Sequence, residues 1–204
     1  MTHFLPLGDN DISKFMSNNE DMLLHEFFEY IYPNTFGKKP AYIRRNGESL
    51  YTHEIKCISI KICGRILDAH EKRIVGWGQN EEYRYRIRDG SPEVDVKIPT
   101  WNLLISTFGD EIEQVLFNIA YPGATISYHY GISKHCYRAH WCLQNNEGFV
   151  FDIEGEKKKW KEGTDNIFKF DDGNVNHGVV YEESNNSKPR IVCLIDIKKS
   201  YWNE

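Results

Sequence analysis

The pattern of hydrophobic and polar positions divides the chain into a mixed first part and a second part of short alternating segments. In the first part, apolar residues at helical spacing between positions 23 and 31 predict an amphipathic helix. Ser17 and Glu20 have the spacing of a capping box and indicate its start, and Pro33 indicates its end. The first part is therefore expected to place at least one helix against the rest of the protein.

Weaker signals follow up to position 108. They predict strands at 42–43 and 55–62, a turn or short helix at 67–72, and a short helix at 99–108. Between them, Arg84, Arg86 and Arg88 alternate with apolar residues, as on one face of a strand. This stripe is typical of a sheet face that meets water, and a basic strip facing a substrate is the alternative interpretation.

From about position 117 the chain consists of short strand-like segments separated by turn-forming residues such as Gly, Asn, Asp and Pro. The predicted strands lie at 117–121, 125–130, 137–144, 149–153, 166–170, 177–181 and 190–197. Short strands at this regular spacing favour a sandwich, barrel or jelly roll. We therefore expect a mainly β protein with flanking helices.

Composition narrows the function classes. The chain has 204 residues, which favours a single domain over 1–204. Its net charge of -5 argues against nucleic acid as the main partner, because phosphate binding needs a basic face. No apolar run is long enough to span a membrane, and the first residues lack the pattern of a signal peptide. These features predict a cytoplasmic protein with no membrane partner.

The cysteine pattern does not indicate a disulfide framework or a metal site. There are five, an odd number, and no pair has the spacing Cys-x-x-Cys. A disulfide framework or a structural zinc site is therefore not expected. We interpret all of them as small buried apolar side chains.

Polar residues point inward on two of the predicted strands. Alternation in the segment 137–144 places Arg138, His140 and Cys142 on one face and apolar residues on the other. Arg190 opens another strand that is otherwise apolar. Buried Arg and His side chains are costly unless they meet an anionic partner. Together they indicate a bound dicarboxylate.

Two further histidines have positions that suit a shared metal ion. His129 ends one predicted strand and His177 begins another, and strands on opposite sides of a jelly roll can bring such residues together. Two imidazoles and a carboxylate with open positions are typical of non-haem Fe(II) oxygenases. The usual position of the carboxylate is Gly131 here. The other histidines are interpreted as structural or solvent-facing: His3, His25, His53, His70 and His135.

An ordered set of motifs between about 117 and 196 resembles the aspartyl/asparaginyl β-hydroxylase family of Fe(II)/2-oxoglutarate-dependent oxygenases. The motifs are Tyr-Pro-Gly at 121–123, His-Tyr-Gly at 129–131, Arg-Ala-His at 138–140, Trp-Lys-Glu-Gly at 160–163, Phe-Asp-Asp at 170–172, Asn-His at 176–177, Arg190 and Asp196. No single motif is specific, but the ordered set is.

The resemblance implies a double-stranded β-helix, the jelly roll that cupins also have. It implies that His129 and His177 bind Fe(II), and that 2-oxoglutarate and O2 are cosubstrates. Glycine is usual in this family at the position of Gly131. The remaining implied contacts are with 2-oxoglutarate and involve Arg138, His140 and Arg190, with Asn118 at the position where the family has a serine. Asp171 and Asp172 are interpreted as turn residues.

The predicted function is hydroxylation of an unactivated C–H bond in an amino acid, or in an Asp/Asn-type side chain of a peptide or carrier-bound substrate. A non-haem iron halogenase and a non-catalytic jelly roll that binds a small acid are the alternatives. We expect residues 116–198 to carry the catalytic motifs and residues 1–115 to form an N-terminal elaboration. The arginine stripe at 84–88 and the pair Lys134 and His135 are candidate substrate contacts; the oligomeric state is left open.

Overall fold

The computed structural model describes residues 2–34, 98–131 and 133–202. Between these ranges it describes the backbone at 55–62, 65–66, 74–75 and 84–85. The predicted strand at 42–43, the predicted turn or helix at 67–72 and most of the arginine stripe lie outside the described residues.

Two of the three α-helices lie near the start of the chain, and most of the strands follow them. The helices are α1 Asp11–Asn18, α2 Glu20–Glu26 and α3 Pro99–Thr107, with a π-helical turn at Phe27–Ile31 and 3-10 turns at Tyr32–Asn34, Thr164–Asn166 and Lys199–Trp202. The strands are β1 Leu5–Pro6, β2 Ile55–Ile62, β3 Arg65–Ile66, β4 Ile74–Val75, β5 Arg84–Tyr85, β6 Ile112–Ala120, β7 Ile126–His129, β8 Cys136–Gln144, β9 Phe149–Ile153, β10 Glu156–Lys158, β11 Phe168–Phe170, β12 His177–Tyr181 and β13 Arg190–Lys198.

Two antiparallel sheets form the body of the protein. The larger has the order β1-β11-β8-β13-β6-β2-β3, and the smaller has the order β10-β9-β12-β7. A separate ribbon pairs β4 with β5. Most neighbouring strands of the two sheets are not consecutive in sequence, as in a double-stranded β-helix rather than a meander. The predicted mainly β jelly roll with flanking helices is confirmed.

Apolar residues form two cores, one on each face of the larger sheet. The inner core draws on both sheets and includes Phe151, Phe170 and Val192. The outer core joins the helices to the opposite face, where Trp101 of α3 lies 5.9 Å from Trp141 of β8, between ring centroids. The alternation predicted for β8 is therefore observed, because Arg138, His140 and Cys142 do not share the face of Trp141.

The N-terminal helices differ in part from the prediction. A first helix, α1, was not predicted, and it begins with a capping box in which Asn10 Oδ1 accepts from Ser13 N at 2.9 Å. The residue Ser17, expected to lie just before the first helix, belongs to the end of α1. The predicted helix itself is α2, which widens into the π turn and ends in the 3-10 turn that contains Pro33.

A buried carboxylate joins two of the helices. Glu26, at the end of α2, accepts hydrogen bonds from Thr100 N at 2.9 Å and from Trp101 N at 3.1 Å, at the start of α3. The N-cap residue of α3 is Ile98, whose side chain makes no capping bond. Glu26 therefore takes over the role of a cap from another helix and complements the positive end of the α3 dipole.

The remaining predictions agree closely with the observed elements. Strands β9 and β12 have the predicted bounds, and the other predicted strands of the second part shift by a few residues at their ends. Strand β10 was not predicted. Cys136, Cys142 and Cys193 are free and buried, as expected. In the described part of the chain, no helix is long and apolar enough to cross a membrane.

Candidate metal and cosubstrate site

His129 and His177 lie opposite each other on neighbouring strands of the smaller sheet. His129 is the last residue of β7, His177 is the first of β12, and the two are direct partners in the antiparallel register. Their ring centroids lie 4.3 Å apart with an angle of 56° between the ring planes. Residues 48 positions apart in sequence are thus brought together by strand pairing alone.

Backbone carbonyls fix the orientation of both rings. His129 Nδ1 lies 2.8 Å from Ser127 O, and His177 Nδ1 lies 3.0 Å from Val175 O. Because a carbonyl oxygen can only accept, each Nδ1 donates, and in the neutral ring the lone pair is on Nε2. Burial, with a smaller contribution from His177, lowers the pKa of His129 to about 4. This ring is therefore neutral at physiological pH, as a metal ligand must be.

A buried carboxylate lies beside the pair. His177 Nε2 is 3.2 Å from Asp172 Oδ1, so the lone pair of a neutral imidazole would face an oxygen that only accepts. A positive charge between these atoms, either a proton or a metal ion, removes the repulsion. Two adjacent ligands with bonds of about 2.1 Å to a metal ion lie about 3 Å apart, so the spacing suits a metal ion.

Asp172 also occupies the space that residue 131 leaves empty. Gly131 N donates to Asp172 O at 2.7 Å, which holds the two segments in contact. A Cβ on Gly131 would lie 1.6 Å from Asp172 Oδ2. In the described part of the chain, this oxygen is buried and accepts no hydrogen bond. Two imidazoles suit a divalent iron ion, and the Asp172 carboxylate adds a negative charge beside His177.

Arg138 holds this carboxylate in position. Its Nη1 donates to Asp172 Oδ1 at 2.9 Å, and its Nε and Nη2 each donate to the carboxylate of Asp196 at 2.7 Å. Burial by itself would raise the pKa of Asp172, but Arg138 and His177 outweigh burial and lower it. Asp172 is therefore ionised, and the carboxylates that compensate the buried guanidinium come from the protein itself.

A second polar group lies deeper between the sheets. Trp160 Nε1 donates to His140 Nδ1 at 3.4 Å, so the remaining proton of the neutral His140 ring is on Nε2. Burial, followed by the charges of Arg138 and Arg190, lowers the pKa of His140 and keeps the ring neutral. The guanidinium of Arg190 lies over the indole ring of Trp160, with its central carbon 4.3 Å from the ring centroid.

Asn118 completes this group. Its Oδ1 accepts a hydrogen bond from Arg190 Nη2, and both side chains are buried. Asn118 lies on β6 and Arg190 on the neighbouring strand β13, so the contact follows from the order of strands in the larger sheet. The amide thereby orients the guanidinium within its plane.

Phenylalanine rings fill the space between the two polar groups. Phe170 lies 5.1 Å from His140 and 5.0 Å from His177, between ring centroids. Phe151 also contacts both histidines, at 4.8 Å and 5.8 Å. The same apolar wall thus limits the motion of both rings and lowers the local dielectric, which strengthens charge interactions within the site.

The structure brings together all six predicted site residues in two groups that share the interior of the jelly roll: His129, His177 and Arg138 in one, and His140, Arg190 and Asn118 in the other. Asp172 lies in the predicted turn, but its side chain bonds Arg138 and contacts His177 rather than the backbone of the turn. Asp171 does stabilise the turn, since its carboxylate accepts from Asn174 Nδ2.

Asp172, Asp196 and Trp160 belong to the quoted motifs, but no contact within the site was predicted for them. A signal for the acids was present, because a buried arginine such as Arg138 demands carboxylate partners. The candidate substrate residue His135 is paired with Glu113 at 2.7 Å, and the side chains of the arginine stripe lie outside the described residues.

Comparisons with known proteins place this chain in a family. The family model described as aspartyl/asparaginyl beta-hydroxylase matches residues 46–200, more than half of the chain. No curated protein sequence matches the chain at a significant level.

Solved structures with similar folds include enzymes of related classes. An oxidoreductase of the 2OG-Fe(II) oxygenase family from Burkholderia pseudomallei has 14% identity and a TM-score of 0.47, over 97% of this chain and 96% of its own. A Pseudomonas putida prolyl-4-hydroxylase has 13% identity and a TM-score of 0.44, over 98% and 91%. A viral collagen prolyl hydroxylase from Paramecium bursaria Chlorella virus-1 has 21% identity and a TM-score of 0.35, over 52% and 72%.

A jelly roll with paired histidines inside it is a framework that can hold a metal ion such as Fe(II). The match over residues 46–200 makes the assignment specific: the chain belongs to the aspartyl/asparaginyl β-hydroxylase family. The predicted resemblance is confirmed, and with it the class of enzyme, a 2-oxoglutarate-dependent hydroxylase that uses Fe(II) and O2.

Proposed function

We propose that this enzyme hydroxylates an unactivated C–H bond of an amino acid, or of an Asp/Asn-type side chain in a peptide or carrier-bound substrate. The observation that carries the proposal is the His129–His177 pair. Its Nδ1 atoms are bound to backbone carbonyls, and its neighbour is the buried, ionised carboxylate of Asp172. Such a donor set suits Fe(II) and leaves coordination positions for other ligands.

His129 and His177 would hold the metal ion, and Asp172 would supply the negative charge that Gly131 lacks. When bound, iron supplies oxidising chemistry with 2-oxoglutarate and O2: one oxygen atom enters the C–H bond and the other enters succinate, with release of CO2. Arg138 keeps the Asp172 carboxylate ionised and aimed at the histidines. Its predicted contact with 2-oxoglutarate stays a prediction, because three of its donors already bind Asp172 and Asp196.

Arg190 and His140 would bind the carboxylates of 2-oxoglutarate. Arg190 provides a buried positive charge whose plane is set by Asn118 and by the face of Trp160. His140 provides a neutral donor at Nε2, because Trp160 donates to its Nδ1. A guanidinium and a neutral imidazole would recognise a carboxylate without placing two positive charges side by side in the core.

The position of Asp172 favours hydroxylation over halogenation. A halide ion beside the metal would have to share the space around Gly131 with a carboxylate that Arg138 holds ionised. The halide ion and the Asp172 carboxylate are both negatively charged, and in a buried site they would repel each other strongly. We therefore place the halogenase alternative second.

We propose that residues 1–204 form one oxygenase domain, with the catalytic motifs at 116–198 and a substrate-contacting elaboration at 1–115. Strand β2 of the elaboration pairs with β6, next to the strand that carries Arg190. The two parts therefore share one sheet, which supports a single domain rather than two.

Anaerobic addition of Fe(II) and 2-oxoglutarate tests the assignment. We expect a visible metal-to-ligand charge-transfer band in the wild-type protein and its loss in His177→Ala. His25→Ala is the matched control, because His25 is exposed on α2 and contacts Tyr30, so the band should persist. Wild-type protein without a band would contradict the proposal, and so would a band that survives in His177→Ala.

The substrate class is tested by succinate release. Free amino acids and short peptides containing Asp or Asn are screened for stimulation of 2-oxoglutarate turnover, and products are analysed by mass spectrometry. The proposal expects a product that gains one oxygen atom. A product in which chlorine replaces hydrogen would contradict it, and turnover that no amino acid or peptide stimulates would contradict the substrate class.

A further inference from the structure

Three side chains with different donor atoms meet near one end of the larger sheet, outside the site described above. Glu113 lies near the start of β6, Cys136 is the first residue of β8, and His135 immediately precedes it. A carboxylate oxygen, a thiol sulfur and an imidazole nitrogen from these residues all lie within 4.8 Å of one another.

The fold holds the two segments firmly at this point. Strands β6 and β8 flank β13, and both approaching segments are bound to its end. Lys199 N donates to His135 O at 2.8 Å, and Lys198 N donates to Glu111 O at 2.9 Å. The backbone positions that carry the three donors are therefore tied to the end of β13.

The cluster is open on one side and closed on the other. Cys136 is 1% exposed, Glu113 is half-buried, and the His135 side chain is 65% exposed. His135 Nε2 lies 2.7 Å from Glu113 Oε1, and Ser133 Oγ lies 3.5 Å from His135 Nδ1. Solvent therefore reaches the cluster mainly from the side of His135.

We propose that Glu113, His135 and Cys136 form a second metal site, one that takes Zn²⁺. Cysteine sulfur, histidine nitrogen and carboxylate oxygen are all zinc ligands, and a site with three protein ligands keeps a fourth position for water. The thiolate discriminates against Mg²⁺ and Ca²⁺, which prefer oxygen ligands. The three donor atoms lie within 4.8 Å of one another, and the His135–Glu113 contact of 2.7 Å has to lengthen when both atoms bind one ion.

Binding involves the exchange of a proton for the metal ion. Burial raises the pKa of the Cys136 thiol to about 12, so its sulfur is protonated before the ion arrives. The zinc–sulfur bond forms as the S–H bond breaks, and the proton leaves to water. The proton on His135 Nε2 moves through water to Nδ1, which lies 3.5 Å from Ser133 Oγ, and the His135–Glu113 hydrogen bond is replaced by two bonds to zinc.

Cobalt substitution tests this site separately from the iron site. Co²⁺ bound to a thiolate gives a charge-transfer band in the near ultraviolet, and no cysteine belongs to the proposed iron site. We expect the band in the wild-type protein and in His129→Ala/His177→Ala, and its loss in Cys136→Ser. His25→Ala should keep it. A missing band in the wild-type protein, or one that persists in Cys136→Ser, would overturn the proposal.

Zinc affinity provides the second measurement. Calorimetric titration of His129→Ala/His177→Ala with Zn²⁺ should give about one bound ion, and Glu113→Gln should weaken binding at least about tenfold. If the double variant does not fold, the same comparison is made between wild-type protein and Glu113→Gln, where Zn²⁺ should raise the melting temperature of the wild-type protein more. Equal affinity, or an equal rise in melting temperature, would contradict the site.

Discussion

The carboxylate of Asp172 stands where a side chain on residue 131 would begin, because a Cβ on Gly131 would lie 1.6 Å from Asp172 Oδ2. The usual third ligand of a non-haem iron site projects from this position. Here a glycine leaves room for the carboxylate of Asp172. The negative charge thus comes from a turn that is 41 residues further along the chain. The two residues therefore act as one unit.

Gly131→Ala should disrupt this unit. The added methyl group cannot share space with a carboxylate that Arg138 holds, so we expect a loss of about 1–3 kcal/mol in the free energy of unfolding and loss of the iron charge-transfer band. Urea unfolding measures the first effect. In an Asp172→Ala background the same substitution should cost much less, since the clash is gone. Equal costs in both backgrounds would show that the residues are independent.

Asp172→Asn should weaken iron binding while the fold persists. The amide keeps the volume but loses the negative charge, so Fe(II) affinity should fall about 10–100-fold. Arg138 retains Asp196 as a partner. The matched control is Asp171→Asn, because Asp171 lies next in the turn and binds Asn174 and Lys199. Its affinity for Fe(II), measured by titration of the same band, should stay near that of the wild-type protein.

Trp160→Phe should impair cosubstrate binding through His140. Phenylalanine keeps the aromatic packing but removes the donor to His140 Nδ1, so the imidazole is no longer held in the tautomer with a proton on Nε2. One lost hydrogen bond of about 1 kcal/mol predicts a rise of about fivefold in KM for 2-oxoglutarate. The value of kcat at saturating 2-oxoglutarate should change little. A fall in kcat with an unchanged KM would contradict this positioning role.

Arg190→Met should weaken 2-oxoglutarate binding more strongly. Loss of a buried charge that pairs with a carboxylate costs about 2 kcal/mol or more, which corresponds to about 30-fold in affinity. Arg190→Lys should be intermediate, since it keeps the charge but loses the planar fork that Asn118 and Trp160 orient. Titration of the charge-transfer band with 2-oxoglutarate gives the affinity of each variant and of the wild-type protein. Equal affinities for the wild-type protein and Arg190→Met would contradict the assignment.

Glu26→Ala should destabilise the fold without changing the site. Its carboxylate is 1% exposed and accepts from Thr100 N and Trp101 N, which would be left without this acceptor. We expect a loss of about 1–3 kcal/mol in the free energy of unfolding. Glu29→Ala, at an exposed position on the following turn, should have little effect. Urea unfolding of both variants makes the comparison.

The parts of the fold that depend on local alternation could be predicted from the sequence. Strands β9 and β12 have their predicted bounds, and the inward face of β8 was identified, because a strand has a period of two wherever it pairs. Helix α1 was missed because it is only eight residues long and its capping box begins at Asn10 instead of Ser17. The hydrophobic stripe of such a short helix gives little signal.

The candidate site was predictable in its residue types but not in its partnerships. A buried arginine on β8 could be predicted to need carboxylates, yet nothing local indicates that Asp196 and Asp172 supply them. Asp172 also has the sequence setting of an ordinary turn residue. Its contact with Gly131 arises only when β12 and β7 pair, since that pairing brings distant segments together.

The location of β7 gives the metal ion a mechanical role. This strand of four residues is the last in the smaller sheet, and its pairing with β12 shifts in register between His177 and Val179. Edge strands fray more readily than central ones, and amide hydrogens there exchange with solvent through local opening. A metal ion bound by both His129 and His177 would link the edge strand β7 to its neighbour β12. Release of the ion and fraying of β7 would then be a single event, so the lifetime of the bound metal is tied to the rate at which this edge opens.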